Sequence, residues 1–161
     1  MEAVERIIVA GVVATAALLA GCTTAAARPA AKIRVLASGT HSGVRHQEYY
    51  ALHDVTDFRN WWQRAYSSRA TAPALPQVDF SKDMVVVVFM GEKSHGGYSL
   101  HVDKVTDTAD SYDVEITVNI PGSGCRTTQA LIQPFEFVAV PDSGNKFVNW
   151  KVQQHYQTCE S

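Results

Sequence analysis

The run MVVVVFM at residues 84–90 constrains the fold more than any other stretch of the chain. Its seven consecutive apolar residues include four valines, and β-branched side chains restrict helical rotamers but fit a pleated sheet. A strand with one face in water alternates apolar and polar residues, and this run does not alternate. We therefore expect a central strand that is covered on both faces.

A glycine-containing segment follows this strand. We call Ser94, His95, Gly96, Gly97 and Tyr98 the glycine loop. Paired glycines supply backbone angles that other residues avoid, so the chain is expected to turn here. One interpretation is a partner-binding loop that presents its side chains to another protein. The alternative is a purely structural turn or bulge, with Tyr98 packed inward.

Strands dominate the rest of the pattern. Alternation predicts a hairpin from residues 98–105 and 112–120, and further strands over residues 32–37, 44–52, 134–140 and 146–154. One amphipathic helix is predicted over residues 54–67, capped by Asp54 or Thr56. The predicted fold class is mainly β (α+β): an antiparallel sheet, barrel or sandwich with one N-terminal amphipathic helix packed on it.

The N-terminus indicates export. Residues 7–20 form an apolar run of signal-peptide length, which is short for a membrane span. The run ends in Leu19-Ala20-Gly21-Cys22, which resembles the bacterial lipobox. This resemblance implies that residues 1–21 are a signal peptide and that Cys22 is lipidated. An ordinary signal peptide with an incidental cysteine, or an uncleaved anchor, are the alternatives.

Small residues and a proline over residues 22–31 predict a flexible tether, which leaves residues 32–161 as one domain. Thr23 stands where inner-membrane retention signals usually place Asp. By that resemblance we expect a lipid anchor in the outer membrane, with the protein facing the periplasm of the bacterial cell envelope. The formal net charge of −2, without a cluster of Lys or Arg, indicates no nucleic-acid partner.

Two cysteines remain besides Cys22. An even pair in an oxidising compartment favours a disulfide between Cys125 and Cys159. Two unrelated free thiols are the alternative.

The polar residues match no motif for a metal, a cofactor or catalysis. The six histidines are His41, His46, His53, His95, His101 and His155. None lies in H-x-x-x-H or H-E-x-x-H, although His95 and His101 could approach each other across the glycine loop. Ser99, His101 and Asp103 lie on the solvent face of a predicted strand, without a G-x-S-x-G elbow, and Asp113 and Glu115 point outward from a hairpin. We expect no cofactor and no enzymatic activity.

The order of these features resembles the PrcB C-terminal domain family. The resemblance rests on the Trp-bearing helix, Val78-Asp79-Phe80-Ser81-Lys82, the valine strand ending in Gly91, Gly96-Gly97-Tyr98-Ser99, and Gln133-Pro134-Phe135 before a strand ending in Val140-Pro141. It covers roughly residue 32 to the C-terminus. The chain departs from the family in having Ser94-His95 where Thr is more common, and in its cysteine pair.

The family's namesake is a lipoprotein subunit of a surface protease complex. The resemblance therefore implies a non-catalytic, lipid-anchored protein that binds a protease or another envelope protein. A second hypothesis is a protease inhibitor that inserts the glycine loop into a cleft. A third is an envelope enzyme or small-ligand-binding protein that uses the histidines.

Overall fold

The computed structural model describes residues 30–159. The predicted signal peptide and Cys22 therefore lie outside the described residues. Within residues 30–159, no helix has both the length and the apolar character needed to cross a membrane.

The described residues form seven strands and one α-helix. In chain order these are β1 Arg34–Gly39, β2 Glu48–Leu52, α1 Val55–Ala65, β3 Asp83–Phe89, β4 Ser99–Asp107, β5 Ser111–Pro121, β6 Phe135–Pro141 and β7 Phe147–Gln157. Each predicted strand is present, and the predicted helix is present with shorter bounds.

The strands form two sheets. A four-stranded sheet has the order β1-β6-β3-β2 and is antiparallel throughout. A three-stranded sheet has the order β4-β5-β7, and we call these the large and the small sheet. The valine strand β3 is central in the large sheet, and the sheets pack as a sandwich, which confirms the predicted β-rich fold class.

Helix α1 covers the outer face of the large sheet. Asp54 caps its N-terminus, because its carboxylate accepts the backbone N–H groups of Thr56 and Asp57 at 2.7 and 2.9 Å. The buried face of the helix presents Phe58 and Trp62 to the sheet. The predicted aromatic stripe is therefore part of the core.

The alternation of β3 divides the core into two layers. Val85, Val87 and Phe89 pack beneath the helix. Their neighbours pack against the small sheet; these are Met84, Val86, Val88 and Met90. Because strand side chains alternate between faces, an unbroken apolar run is required where both faces are covered. The prediction of a strand covered on both faces is confirmed.

The parallel pairing of β5 with β7 was not predicted. β6 and β7 are joined by a short turn, but β6 lies in the large sheet and β7 in the small one. β7 therefore returns alongside β5 in the same direction, while β4 and β5 form the predicted antiparallel hairpin. The remaining ladders are antiparallel.

The small sheet overhangs the large sheet at one end. β5 and β7 each contain 11 residues, whereas β3 contains 7 and β2 contains 5. Along the inward face of β5, Tyr112 and Ile116 are buried, but Val118 and Ile120 are only half-buried. The overhang leaves part of an apolar sheet face uncovered beyond the end of β3.

Candidate functional site

The glycine loop lies at this uncovered end. Lys93, just before the loop, exchanges backbone hydrogen bonds with Ile132, with N···O distances of 2.8 and 3.0 Å. The N–H of Gly96 donates to the carbonyl of Thr128 at 2.9 Å. The loop is therefore fixed at two points to the segment that precedes β6.

A different structural constraint favours glycine at each of the two positions in the loop. A Cβ at Gly96 would overlap the hydroxyl of Thr128. Gly97 has a φ of +92°, in the left-handed region, and a Cβ there would meet Pro121 and Thr127 at 3.1 Å. Close packing at Gly96 and backbone conformation at Gly97 thus account for this pair without a ligand.

The side chains of the loop point in different directions. Ser94 is exposed, whereas His95 and Tyr98 are half-buried. The Nδ1–H of His95 donates to the Gly96 carbonyl at 3.0 Å, and the rings of His95 and Tyr98 lie 5.2 Å apart. Tyr98 also packs against the core between the sheets. The structure therefore places Tyr98 inward, as the structural alternative expects.

Tyr98 lines a pocket of about 240 Å³ between the two sheets. The lining residues come from both sheets and from the glycine loop; they are Gln47, Tyr49, Met90, Lys93, Tyr98, Leu100, Ile116, Val118, Ile120, Val152 and Gln154. Drug-sized ligands usually occupy pockets of about 300–1,000 Å³. This pocket has the size for one large side chain or a small fragment.

The floor of the pocket is apolar and its rim is polar. Met90, Leu100 and the inward residues of β5 supply the floor. At the rim, the Gln47 amide donates to the Tyr49 hydroxyl at 2.6 Å, and burial raises the pKa of the Tyr49 phenol. The rim therefore carries neutral hydrogen-bonding groups around an apolar cavity.

Lys93 is the one cation among the lining residues, and no carboxylate lines the pocket. Its ammonium lies 5.9 Å from the centre of the Tyr98 ring. None of the ion pairs that residues 30–159 form involves Lys93. The pocket thus combines apolar surface with an unpaired positive charge.

Two strand edges flank the pocket. β2 is the outer strand of the large sheet and β7 the outer strand of the small sheet. Tyr49 of β2 contacts Trp150 of β7, with ring centres 5.5 Å apart, and this contact closes the side of the sandwich next to the pocket. Further along β7, Val152 is 39% exposed and Tyr156 is 70% exposed.

The structure contains the predicted disulfide between Cys125 and Cys159. Cys159 lies two residues beyond the end of β7, and Cys125 lies in the segment that runs from β5 to β6. The same segment contains Thr127 and Thr128, against which the two glycines pack. The bridge therefore links the end of β7 to the segment that holds the glycine loop.

A larger and shallower depression, of about 570 Å³, lies between the start of α1 and residues 75–80. Its charged lining groups are paired: Arg34 contacts Asp83 at 3.6 Å and Asp79 contacts Lys82 at 2.8 Å. It offers no unpaired charge to a ligand.

One buried carboxylate joins the sheets on the side away from the pocket. Glu136 of β6 is 3% exposed, and its carboxylate accepts the backbone N–H of Val102 at 2.6 Å. His101 Nδ1 lies 3.4 Å from the other carboxylate oxygen. Glu136 therefore bonds β4 of the small sheet to the large sheet.

A second polar network surrounds Asp142, after the end of β6. Its carboxylate accepts hydrogen bonds from His53 Nδ1 at 2.7 Å, the Tyr112 hydroxyl at 2.9 Å and the Gly144 N–H at 2.8 Å. Burial acts to raise the pKa of Asp142, but the bonds from His53, Gly144 and Tyr112 outweigh it and lower the pKa. The network connects β2, β5 and the turn between β6 and β7.

The residues considered for catalysis make other contacts. The Ser99 hydroxyl accepts a bond from the Asn119 amide at 2.9 Å, His101 faces Glu136, and Asp103 is exposed at a β-bulge. On the outer face of the small sheet, Asp113 pairs with Lys151 and Glu115 with Lys104.

The histidines do not gather at one point. His95 and His101 contact different groups, since His95 lies against Tyr98 and His101 against Glu136. Within residues 30–159, no three His, Cys, Asp or Glu side chains are placed to hold one metal ion.

One family model matches the middle of the chain. Residues 84–141 match the PrcB C-terminal family model. The match confirms the resemblance and runs from the start of β3 to the end of β6, so it includes the glycine loop. Comparisons with curated proteins and with solved structures find no match.

The sequence indicates the position of the glycine loop but not the pocket beside it. No pattern in the sequence marks Lys93, Val118 or Val152 as site residues. Alternation indicates that Val118 and Val152 point inward, but only the difference in strand length between the sheets shows that they are left uncovered. Cys22 lies outside the described residues.

Proposed function

We propose that this chain is a non-catalytic, lipid-anchored protein of the bacterial cell envelope that binds another polypeptide as an accessory subunit of a protease complex. The observation that carries the proposal is the PrcB C-terminal match over residues 84–141, because its namesake is a protease-complex subunit. The matched stretch contains the glycine loop and most of the pocket floor.

The surface chemistry at the pocket supports a protein partner. Protein interfaces combine an apolar centre with a polar rim. The uncovered end of the small sheet has this arrangement, with Val118, Ile120 and Val152 surrounded by Gln47, Tyr49 and Gln154. The described contacts of Ser99 and His101 pair neither residue with the other, which favours binding over nucleophilic catalysis.

The proposed anchor suits this role. Lipidation at Cys22 holds the domain at the membrane. The Ala31 N–H already donates to the Val105 carbonyl of the domain at 2.8 Å, so a tether over residues 22–30 spans at most about 30–32 Å when extended. This length limits how far the start of the domain lies from the membrane, and the width of the domain adds to its reach toward a partner. The tether keeps the domain near the membrane but leaves its orientation free.

The inhibitor alternative fits the geometry less well. A loop that enters a protease cleft must project its side chains, but Tyr98 points into the pocket and His95 bonds to the loop's own backbone. Ser94 is the exposed side chain of the loop.

The experiment is affinity purification of the tagged full-length chain from detergent-solubilised membranes after mild cross-linking. We expect one stoichiometric polypeptide partner that belongs to a protease assembly. The Cys22→Ser variant should be recovered from the soluble envelope fraction instead of the membrane fraction. Recovery of the wild type without a stoichiometric partner would contradict the proposal, as would direct inhibition of a protease by the purified chain.

A further inference from the structure

We propose that the pocket between the sheets binds the C-terminal residue of a partner polypeptide, with an apolar side chain in the cavity and the terminal carboxylate on Lys93. This inference rests on the proposed function, because it names the chemistry by which the partner is held. The proposed binding site is the pocket, and its proposed ligand is a polypeptide C-terminus.

The apolar floor of the pocket indicates that the ligand inserts an apolar side chain. The inward faces of β4 and β5 contribute Leu100, Ile116 and Val118 to a cavity of about 240 Å³. Burial of apolar surface is worth about 25 cal/mol per Å², so a Leu or Phe side chain in this cavity supplies the main attraction. A cavity of this size takes one such side chain.

The charges at the pocket indicate that the ligand carries a carboxylate. Lys93 lines the cavity, has no ion pair within residues 30–159, and has no acidic neighbour among the lining residues. The Gln47 amide and the Gln154 side chain add polar groups at the same rim. A ligand with an anionic group beside an apolar group is therefore complementary to this pocket. The C-terminal residue of a polypeptide carries both, as its carboxylate and its side chain.

The open edges of two strands indicate that the ligand is a polypeptide. β2 and β7 each pair with one strand in their sheets, so each presents a second edge of backbone N–H and C=O groups. An extended segment can pair with such an edge and direct its side chains into neighbouring pockets. A fatty acid offers the apolar group and the carboxylate but has no backbone to pair with these edges.

The test uses the full-length chain in lipid nanodiscs, with empty nanodiscs as the blank. The probe is a fluorescently labelled peptide, Gly-Ser-Gly-Ser-Val-Leu, with a free C-terminal carboxylate, and binding is followed by anisotropy. We expect saturable binding that falls roughly fivefold to tenfold when the same peptide ends in an amide. Equal binding of the amide, or no saturable binding of the acid, would overturn the proposal.

Matched variants locate the contact. Lys93→Met should lower the affinity for the acid peptide by the same factor without changing the affinity for the amide peptide. Lys93→Arg should largely preserve the affinity for both. Lys151→Met removes the same charge from the outer face of β7, and it should leave binding within twofold. Val152→Trp fills the partly exposed mouth of the pocket and should abolish binding of the acid peptide. Equal loss in Lys93→Met and Lys151→Met would refute the assignment.

Three further outcomes bear on this inference, and the last two separate it from the proposed function. Displacement of the peptide by octanoate at lower concentration than by unlabelled peptide would identify a fatty-acid site and overturn the polypeptide ligand. A stoichiometric partner retained from membranes by both Lys93→Met and Val152→Trp would refute the pocket and leave the proposed function standing. Peptide binding as predicted, without a protease-complex partner in the purification, would support the pocket's ligand and refute the proposed function.

Discussion

The Asp142 network gives the sharpest stability prediction. Asp142→Asn keeps one oxygen that can accept the bonds from Tyr112 and Gly144, but it removes the negative charge that faces His53. Hydrogen bonds to a charged group are worth about 1.5–3 kcal/mol and neutral ones about 0.5–1.5 kcal/mol. The Asp142 side chain is only 15% exposed, so solvent screens these bonds little. We expect the free energy of unfolding to fall by about 1–2 kcal/mol at pH 7.

The pH dependence of this loss has a defined sign. The pKa of Asp142 is lowered in the folded protein, so folding favours the ionised carboxylate. Its contribution is complete above the unfolded value of about 3.9 and is lost as the pH falls through the lower folded value. The difference between wild type and Asp142→Asn should therefore narrow progressively below about pH 4.

Urea unfolding of both proteins from pH 2.5 to 7 measures this difference. Asp110→Asn is the control, because Asp110 is exposed in the turn between β4 and β5 and the substitution removes the same charge. The control should stay within about 0.5 kcal/mol of wild type. The reasoning is refuted if Asp142→Asn matches the control at pH 7, or if its difference from wild type does not change with pH.

Substitutions at three other sites test the supports of the fold and the loop. Replacing Cys125 and Cys159 by serine should lower the free energy of unfolding by about 3–4 kcal/mol, measured by urea titration, because the bridge closes a loop with a sequence separation of 34; an unchanged midpoint would contradict this. Gly97→Ala should cost about 1–2 kcal/mol in the same assay, since φ is +92°, and a neutral result would mean that the loop relaxes freely. Glu136→Ala should cost about 1.5–3 kcal/mol by leaving the Val102 N–H without its acceptor, while Glu136→Gln should cost about 1 kcal/mol; equal costs would remove the hydrogen bond as the cause.

The sequence predicted the elements of the fold well, because their signals are local. The apolar run of β3 indicated burial on both faces, and the 3–4 spacing of Phe58 and Trp62 indicated the buried face of α1. The pairing of β7 was not predictable in the same way. The turn after β6 favours an adjacent hairpin, but the chain instead crosses to the small sheet and runs parallel to β5.

The candidate site was only partly predictable for a similar reason. The glycines marked the position of the loop, and their close contacts with Thr127 and Thr128 give them a structural role. The pocket depends on how far one sheet extends beyond the other, which no local pattern encodes. Lys93 carries no signal in the sequence that separates it from other surface lysines; its significance comes from the lining that surrounds it.

Photo-cross-linking in intact cells tests most directly whether the domain binds a polypeptide at this pocket. A benzophenone amino acid is placed at Tyr156, which is 70% exposed and pairs with the pocket residue Ile120, and in a second strain at Val55, which is exposed on the helix. We expect one cross-linked polypeptide from position 156, joined through its C-terminal residues, and none from position 55. Absence of a cross-link at position 156, or the same products at both positions, would contradict binding at this pocket.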